Sequence, residues 1–154
     1  MKYNVENRLD LFEFHDSEFS LISFNNDELI ISVKHLNIHK NSNPNPSNYD
    51  MEIEDAIITF KGFHMTQCKI HSDYNEINTY YQEEAIEKFK EEFNGEYHKH
   101  INIFDLGVLG NSIYYIDADG NSPFFAIQFT FDNVIIEWDK YIKKAWYELF
   151  KERK

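Results

Sequence analysis

Short runs of alternating apolar and polar residues constrain the fold of this chain more than any other feature. In the clearest run, Phe125, Ile127, Phe129 and Phe131 occupy every second position. Successive side chains of a β-strand point to opposite faces, so this alternation predicts a strand with one buried face. Turn residues follow at 132–133, and the next apolar run begins directly after them, at Val134. Short strands joined by tight turns are typical of antiparallel sheet.

The same criteria predict eight strands and two helices. The strands are expected at residues 14–24, 29–38, 51–60, 63–70, 102–108, 113–118, 124–131 and 134–138. In the second of them the apolar face changes at Lys34 and His35, which predicts a β-bulge. One helix is expected to begin at Thr79, because Gln82 follows at the spacing of a capping box. The other is expected after Asp139, with an apolar stripe of Ile142, Ala145, Trp146, Leu149 and Phe150.

The order of elements is four strands, a helix, four strands and a helix. Runs of antiparallel strands with helices on one face indicate an α+β domain, so we expect a mostly antiparallel, curved sheet of about eight strands covered by two helices. The 154 residues are close to the usual size of one domain, and residues 1–154 are expected to form a single one. The loop at residues 40–50, with two of the three prolines, joins two strands of that domain.

Composition predicts a cytoplasmic protein. Cys68 is the only cysteine, so an internal disulfide and a cysteine-based zinc site are both excluded. Residues 1–10 lack the apolar segment of a signal peptide, and no apolar run approaches the length of a membrane span. In its sequence context Cys68 is expected to be a buried and inert thiol.

The formal net charge of −12 narrows the class of partner. Nucleic acid and anionic membrane surfaces are disfavoured, because both need lysine and arginine against phosphate. A basic protein would be attracted instead. Five glutamates lie off the apolar stripe of the first predicted helix and are our candidate partner-binding residues: Glu83, Glu84, Glu87, Glu91 and Glu92. The alternative interpretation is a charged face that only keeps the chain in solution.

No group of residues predicts catalysis or a cofactor. His15, Asp16 and Ser17 are the residue types of a hydrolytic triad, but neighbours on a strand point to opposite faces and cannot pair. We expect Asp16 or Ser17 to bond a nearby backbone group instead. Three aspartates, Asp105, Asp117 and Asp119, could form a carboxylate cluster, although turn chemistry accounts for the last two.

Histidine spacing does not predict a metal site. His98 and His100 would share one face of a strand, and His35 and His39 have helical spacing within a predicted strand and loop. Neither pair is accompanied by further ligands at a recognised spacing. Phosphate-binding glycine motifs are missing as well, so nucleotide binding of the familiar kinds is not expected. We therefore predict no catalytic residue, no metal and no cofactor.

Two segments carry a resemblance to known proteins. They are Phe14-His15-Asp16-Ser17-Glu18, which enters a strand, and the pair Trp138-Asp139-Lys140-Tyr141 and Ala145-Trp146-Tyr147-Glu148 near the end. Together they resemble small bacterial domains that are similar to immunity proteins of polymorphic toxin systems. The resemblance implies a cytosolic protein that binds and neutralises a partner, often a basic nuclease, without chemistry of its own.

Three hypotheses of function follow. The first is a non-enzymatic, immunity-type protein that binds a basic toxin. The second is a small-molecule-binding or enzymatic domain with an aromatic-lined cavity, motivated by 14 Phe and 10 Tyr. The third, compatible with the first, is self-association into a homo-oligomer through a sheet edge or an aromatic patch.

Overall fold

β-Structure dominates this chain. The computed structural model describes residues 1–25, 27–73, 76–94, 101–119 and 124–152. Strands hold 60% of these residues and helices only 13%. The predicted α+β class with eight strands is therefore wrong, because the described residues form fourteen mostly short strands and only two short helices.

The strands range from two to ten residues in length. They are β1 Tyr3–Glu6, β2 Phe12–Glu13, β3 Ser17–Asn25, β4 Glu28–Lys34, β5 Leu36–Ile38, β6 Met51–Ile53, β7 Ala56–Lys61, β8 His64–Asp73, β9 Glu76–Tyr81, β10 Ile101–Gly110, β11 Ile113–Asp119, β12 Phe124–Thr130, β13 Asn133–Trp138 and β14 Tyr141–Lys144. The helices are α1 Gln82–Asn94 and α2 Glu148–Glu152, and a 3₁₀ turn covers Leu9–Leu11.

The described strands form two antiparallel sheets. Ten of them make the large sheet, in the order β1-β13-β7-β4-β3-β10-β11-β12-β8-β9. The other four make the small sheet, in the order β14-β6-β5-β2. β4 pairs with β7 in the large sheet, and the adjoining strands β5 and β6 pair in the small one. One long hairpin therefore bends from the first sheet into the second.

The bend divides two of the predicted strands. His35 has a φ of +60° and separates β4 from β5, so the irregularity predicted at Lys34 and His35 is a switch between sheets rather than a bulge. Glu54 and Asp55 separate β6 from β7 in the same way. Both runs look continuous in the sequence because the strands on either side of each switch are apolar.

The large sheet curves until strands from its two halves face each other. The ring centroids of Phe60 on β7 and Phe129 on β12 are 5.4 Å apart, although these strands are far apart in the sheet order. Phe63, in the turn between β7 and β8, also packs against Phe129, with 4.9 Å between the ring centroids. Phe89 of α1 contacts both Phe24 and Phe125 and closes the core at another side. A single aromatic core therefore lies between the halves of the sheet.

Both predicted helices are shorter than expected. Residues 76–81 form β9, which pairs with β8 and moves the start of α1 from Thr79 to Gln82. Its β-branched and aromatic residues Ile77, Thr79, Tyr80 and Tyr81 favour a strand over the capping pattern. Near the C-terminus, β14 pairs with β6, so that within the described residues the second helix covers only Glu148–Glu152. The available edge of β6 thus determines the structure of residues 141–144.

Candidate functional site

A cleft of about 390 Å³ opens beside the small sheet. We call it the His39 cleft, and its walls are Glu13, His15, His39, Asp50, Trp146 and Tyr147. Glu13 ends β2, and His39 and Asp50 flank the loop between β5 and β6. Trp146 and Tyr147 lie between β14 and α2. The pairing of the small sheet therefore brings together segments that are remote in sequence.

Asp50 organises the cleft. Its carboxylate is buried and accepts hydrogen bonds from the Lys40 amide at 2.8 Å and from the Tyr147 hydroxyl. Its Oδ2 lies 3.1 Å from Nδ1 of His39. The Asp50 carbonyl accepts a further bond from the Ala145 amide at 2.9 Å. One residue thus ties the 40–50 loop to the segment that carries Trp146.

The 40–50 loop is itself held by side-chain hydrogen bonds. Asn45 is buried, and its Nδ2 donates to the carbonyl of Tyr49 at 2.9 Å. Its Oδ1 accepts from the hydroxyl of Ser47 at 2.6 Å. The Tyr141 hydroxyl donates to the carbonyl of Pro44. The loop is therefore a built part of the cleft wall, and it fixes where Asp50 points.

Ionisation in the cleft follows from these bonds. Burial opposes the charge on Asp50, but the bonds from Tyr147, the Lys40 amide and His39 hold the pKa of Asp50 below its usual range. Burial and the bond to Asp50 raise the pKa of the Tyr147 hydroxyl, which stays a proton donor. With Asp50 ionised, Nδ1 of His39 is placed to donate to it, and in that neutral tautomer Nε2 is a hydrogen-bond acceptor.

The His15 segment is a turn rather than the start of a strand. Asp16 has a φ of +63°, and β3 begins only at Ser17. The premise that His15 and Asp16 point to opposite faces is therefore wrong, and His15 Nε2 lies 3.6 Å from Asp16 Oδ2. Both side chains are more than half exposed, so this is a weak surface pair. The hydroxyl of Ser17 donates to the Phe14 carbonyl, which confirms the predicted backbone bond.

The described histidines do not gather around one point. Nδ1 of His35 lies 3.6 Å from Oε2 of Glu52, and Nε2 of His64 is hydrogen-bonded to Oε1 of Gln82 at 2.8 Å. Among the residues that the structure describes, no group of three or more histidine, cysteine or acidic side chains is placed to hold a metal ion. The side chain of His71, and residues His98 and His100, lie outside the described part.

A second groove, of about 310 Å³, lies on the outer face of the large sheet. Asp105 and Asp117 are direct neighbours on β10 and β11, so the turn explanation for Asp117 is wrong. Burial and the nearby Asp105 raise the pKa of Asp117, and the Tyr115 hydroxyl donates to Asp105 at 3.3 Å. The side chain of Asp119 lies outside the described part. Of the pair, Asp117 lines the groove, together with Lys69 and Tyr115.

The predicted partner-binding glutamates are on the surface, away from the cleft. Glu83, Glu84, Glu87 and Glu91 are exposed on α1, and none of them lines the His39 cleft. The side chain of Glu92 lies outside the described residues. Lys88 forms an ion pair with Glu91 at 3.3 Å and interrupts the acidic face. Cys68 is buried, as predicted.

The predicted apolar stripe at the C-terminal end is largely exposed. We call its four exposed members the C-terminal apolar patch: Ile142, Trp146, Leu149 and Phe150. Trp146 is 47% exposed and Phe150 61%, and their rings meet edge to face at 6.0 Å. Only Ala145 of the stripe is buried. Trp146, whose ring contacts Phe150, also lines the cleft, so the patch and the cleft meet at this residue.

Comparison of the chain with family models, with curated proteins and with solved structures found no match in any of the three. Within the described residues, no helix has the length and apolar character needed to span a membrane.

Proposed function

We propose that this chain is a non-enzymatic binding protein of immunity type, which holds a basic protein partner at the His39 cleft and the adjoining C-terminal apolar patch. The observation that carries the proposal is Trp146, which is half exposed at the junction of an apolar patch and a cleft with carboxylates in its wall. The resemblance of residues 14–18 and 138–148 to immunity proteins and the charge of −12 support the same function.

The patch has the chemistry of a binding hot spot. Clustered large apolar side chains on a surface mark interaction sites, and tryptophan and tyrosine are enriched among the residues that dominate binding. Trp146 is braced by Phe150 and by Tyr147, whose ring lies 5.6 Å away. Because Asp50 anchors Tyr147, the indole is held in place before a partner arrives. A preorganised side chain loses little entropy on binding.

The cleft adds a preference for positive charge. Glu13 and the ionised Asp50 line it together with the Trp146 indole. An arginine or lysine side chain that enters would meet carboxylates and an aromatic face, both of which favour a cation. The chain already contains such a contact, since Nζ of Lys144 lies 3.7 Å from the ring centroid of Tyr49. A basic toxin would present these side chains.

Tryptophan fluorescence tests the proposal. Trp138 is fully buried, so a spectral change on binding reports Trp146. We expect short peptides with arginine or lysine beside an aromatic residue to shift the emission and to bind more weakly as salt is raised. The same peptides with citrulline or glutamate should bind at least about tenfold more weakly.

Matched variants locate the site. Because Trp146 is itself the fluorescent reporter, the variants are compared by isothermal titration calorimetry. Trp146→Ala should abolish binding of the cationic peptides, whereas Val108→Ala, at a residue 60% exposed on β10, should not change it. A variant with Glu83, Glu84, Glu87 and Glu91 all changed to glutamine tests the acidic face of α1 as the alternative surface. Loss of affinity in that variant alone, or equal affinity for citrulline peptides, would contradict binding at the cleft.

One observation favours an enzyme as a second candidate. Asp50 orients His39 as a carboxylate orients a general base, and Nε2 remains for a substrate. If the chain is an ester or phosphoester hydrolase, His39→Ala should remove turnover of p-nitrophenyl esters or phosphates. Turnover that persists in His39→Ala, or that is missing from the wild type, leaves the binding role as the better account.

A further inference from the structure

The two edges of the large sheet differ in how they are protected. β1 at one edge has four residues, including Glu6. β9 at the other edge has six residues, and its last five, 77–81, contain neither a charge nor a proline. Natural proteins protect exposed edges with lysine, proline, bulges or short strands. The edge at β9 lacks these devices between residues 77 and 81.

The outer face of β9 is also apolar. Its register with β8 places Thr79 beside Lys69 and Tyr81 beside Gln67, so Ile77, Thr79 and Tyr81 share one face. Ile77 is 58% exposed and Tyr81 62%. α1 lies on the opposite side of the sheet, because its buried Phe89 packs on Phe125 of the core. Within the described part of the chain, no strand pairs with the free edge of β9.

We propose that β9 pairs with β9 of a second copy of this chain, antiparallel about a two-fold axis at Thr79. This arrangement places Ile77 opposite Tyr81 of the partner subunit, twice in each dimer. The large sheets of two copies then join into one. The inference is independent of the proposed function, since β9 contributes no residue to the His39 cleft.

Self-complementarity identifies the occupant as a second copy. On a two-fold axis at Thr79, both exposed apolar side chains of each copy find an apolar neighbour. An axis at Asn78 leaves Tyr81 without an apolar residue opposite it, and an axis at Tyr80 leaves Ile77 without one. Cross-strand pairs of an aromatic with a β-branched residue stabilise antiparallel sheet. Each copy has a net charge of −12, but residues 77–81 carry none. The paired strands therefore bring no like charges together.

Sedimentation of the full chain over a range of concentrations tests this pairing. We expect a monomer–dimer equilibrium that shifts towards dimer as salt is raised, because salt screens the repulsion between like-charged copies. Salt should instead lower the affinity of the His39 cleft for a basic partner. Because salt acts on the two interactions in opposite directions, either proposal can fail without the other. A monomer at high micromolar concentration in both low and high salt would overturn the dimer.

Two complementary variants test the register. Ile77→Glu and Tyr81→Lys should each weaken dimerisation about tenfold, because each places a charge opposite an apolar side chain. Mixed together, they should form a heterodimer within about threefold of the wild-type affinity, since Glu faces Lys in one pair and Ile77 faces Tyr81 in the other.

The control is Val108→Glu, at a residue equally exposed on β10, which should dimerise as the wild type does. Unchanged thermal unfolding of the monomers would show that both variants are folded. Wild-type dimerisation by either single variant, or a mixture no tighter than its components, would contradict pairing through β9 about Thr79.

Discussion

Phe129→Ala is expected to lower the free energy of unfolding by about 3–5 kcal/mol, the usual cost of removing a fully buried phenylalanine. Phe129 is 0% exposed. Its ring contacts Phe60 on the opposite half of the large sheet and Phe63 in the turn between β7 and β8. Truncation leaves a cavity between the two halves, where rigid strands on both sides limit collapse. Urea unfolding followed by circular dichroism measures the loss.

Phe150→Ala is the matched control. It makes the same chemical change at a ring that is 61% exposed, so a loss below about 1 kcal/mol is expected. Equal losses in the two variants would contradict a core between the halves of the curved sheet.

Asp50→Ala is expected to cost about 2–4 kcal/mol of stability and to disrupt the His39 cleft. The change leaves the Lys40 amide and the Tyr147 hydroxyl without their acceptor in a mostly buried site. His39 also loses the carboxylate that orients it. Asp55→Ala, at an exposed aspartate, is the control and should be nearly neutral. A neutral Asp50→Ala would mean that Asp50 does not hold the cleft together.

The contribution of Asp50 should also depend on pH. The pKa of Asp50 is lower in the folded chain than the value of about 3.9 for an unfolded aspartate. Its charge therefore stabilises the fold above pH ~4, and this stabilisation is lost as pH falls through the lower, folded pKa. The difference in unfolding free energy between wild type and Asp50→Asn should shrink between pH 6 and pH 2. A difference that is constant over this range would contradict the lowered pKa.

Alternation predicted the buried faces well. Phe125, Ile127 and Phe129 are at most 4% exposed, and the turns that precede β11 and β13 lie where the sequence placed them. The turn predicted at residues 120–121 lies outside the described residues. Such patterns are local, because a strand with one buried face shows it in its own residues. Strand β14 was missed, and β5 and β6 were not separated from β4 and β7, because pairing between remote segments determines these features. A run of four residues such as Tyr141–Lys144 carries too little pattern to exclude a helix.

The site was hidden for the same reason. His39 and Asp50 are 11 positions apart, and Asp50 and Tyr147 are 97 apart. No local motif joins them, because the small sheet and the bonded loop bring them together. Asp50 appeared in the sequence only as the end of a loop. Trp146 was assigned to the apolar stripe of a helix. Strand β14 occupies the start of that predicted helix, and Trp146, which follows the strand, is half exposed.

The most direct test of the proposed binding role is site-specific photocrosslinking in the source cells. A benzophenone amino acid would replace Leu149 of the C-terminal apolar patch in one chain, which leaves Trp146 intact, Glu87 on α1 in a second and Val108 in a third, and mass spectrometry would identify each adduct. We predict one basic protein attached at position 149, absent at 87 and 108, and reduced by high salt. Adducts confined to position 87, or no specific adduct at 149, would contradict partner binding at the His39 cleft.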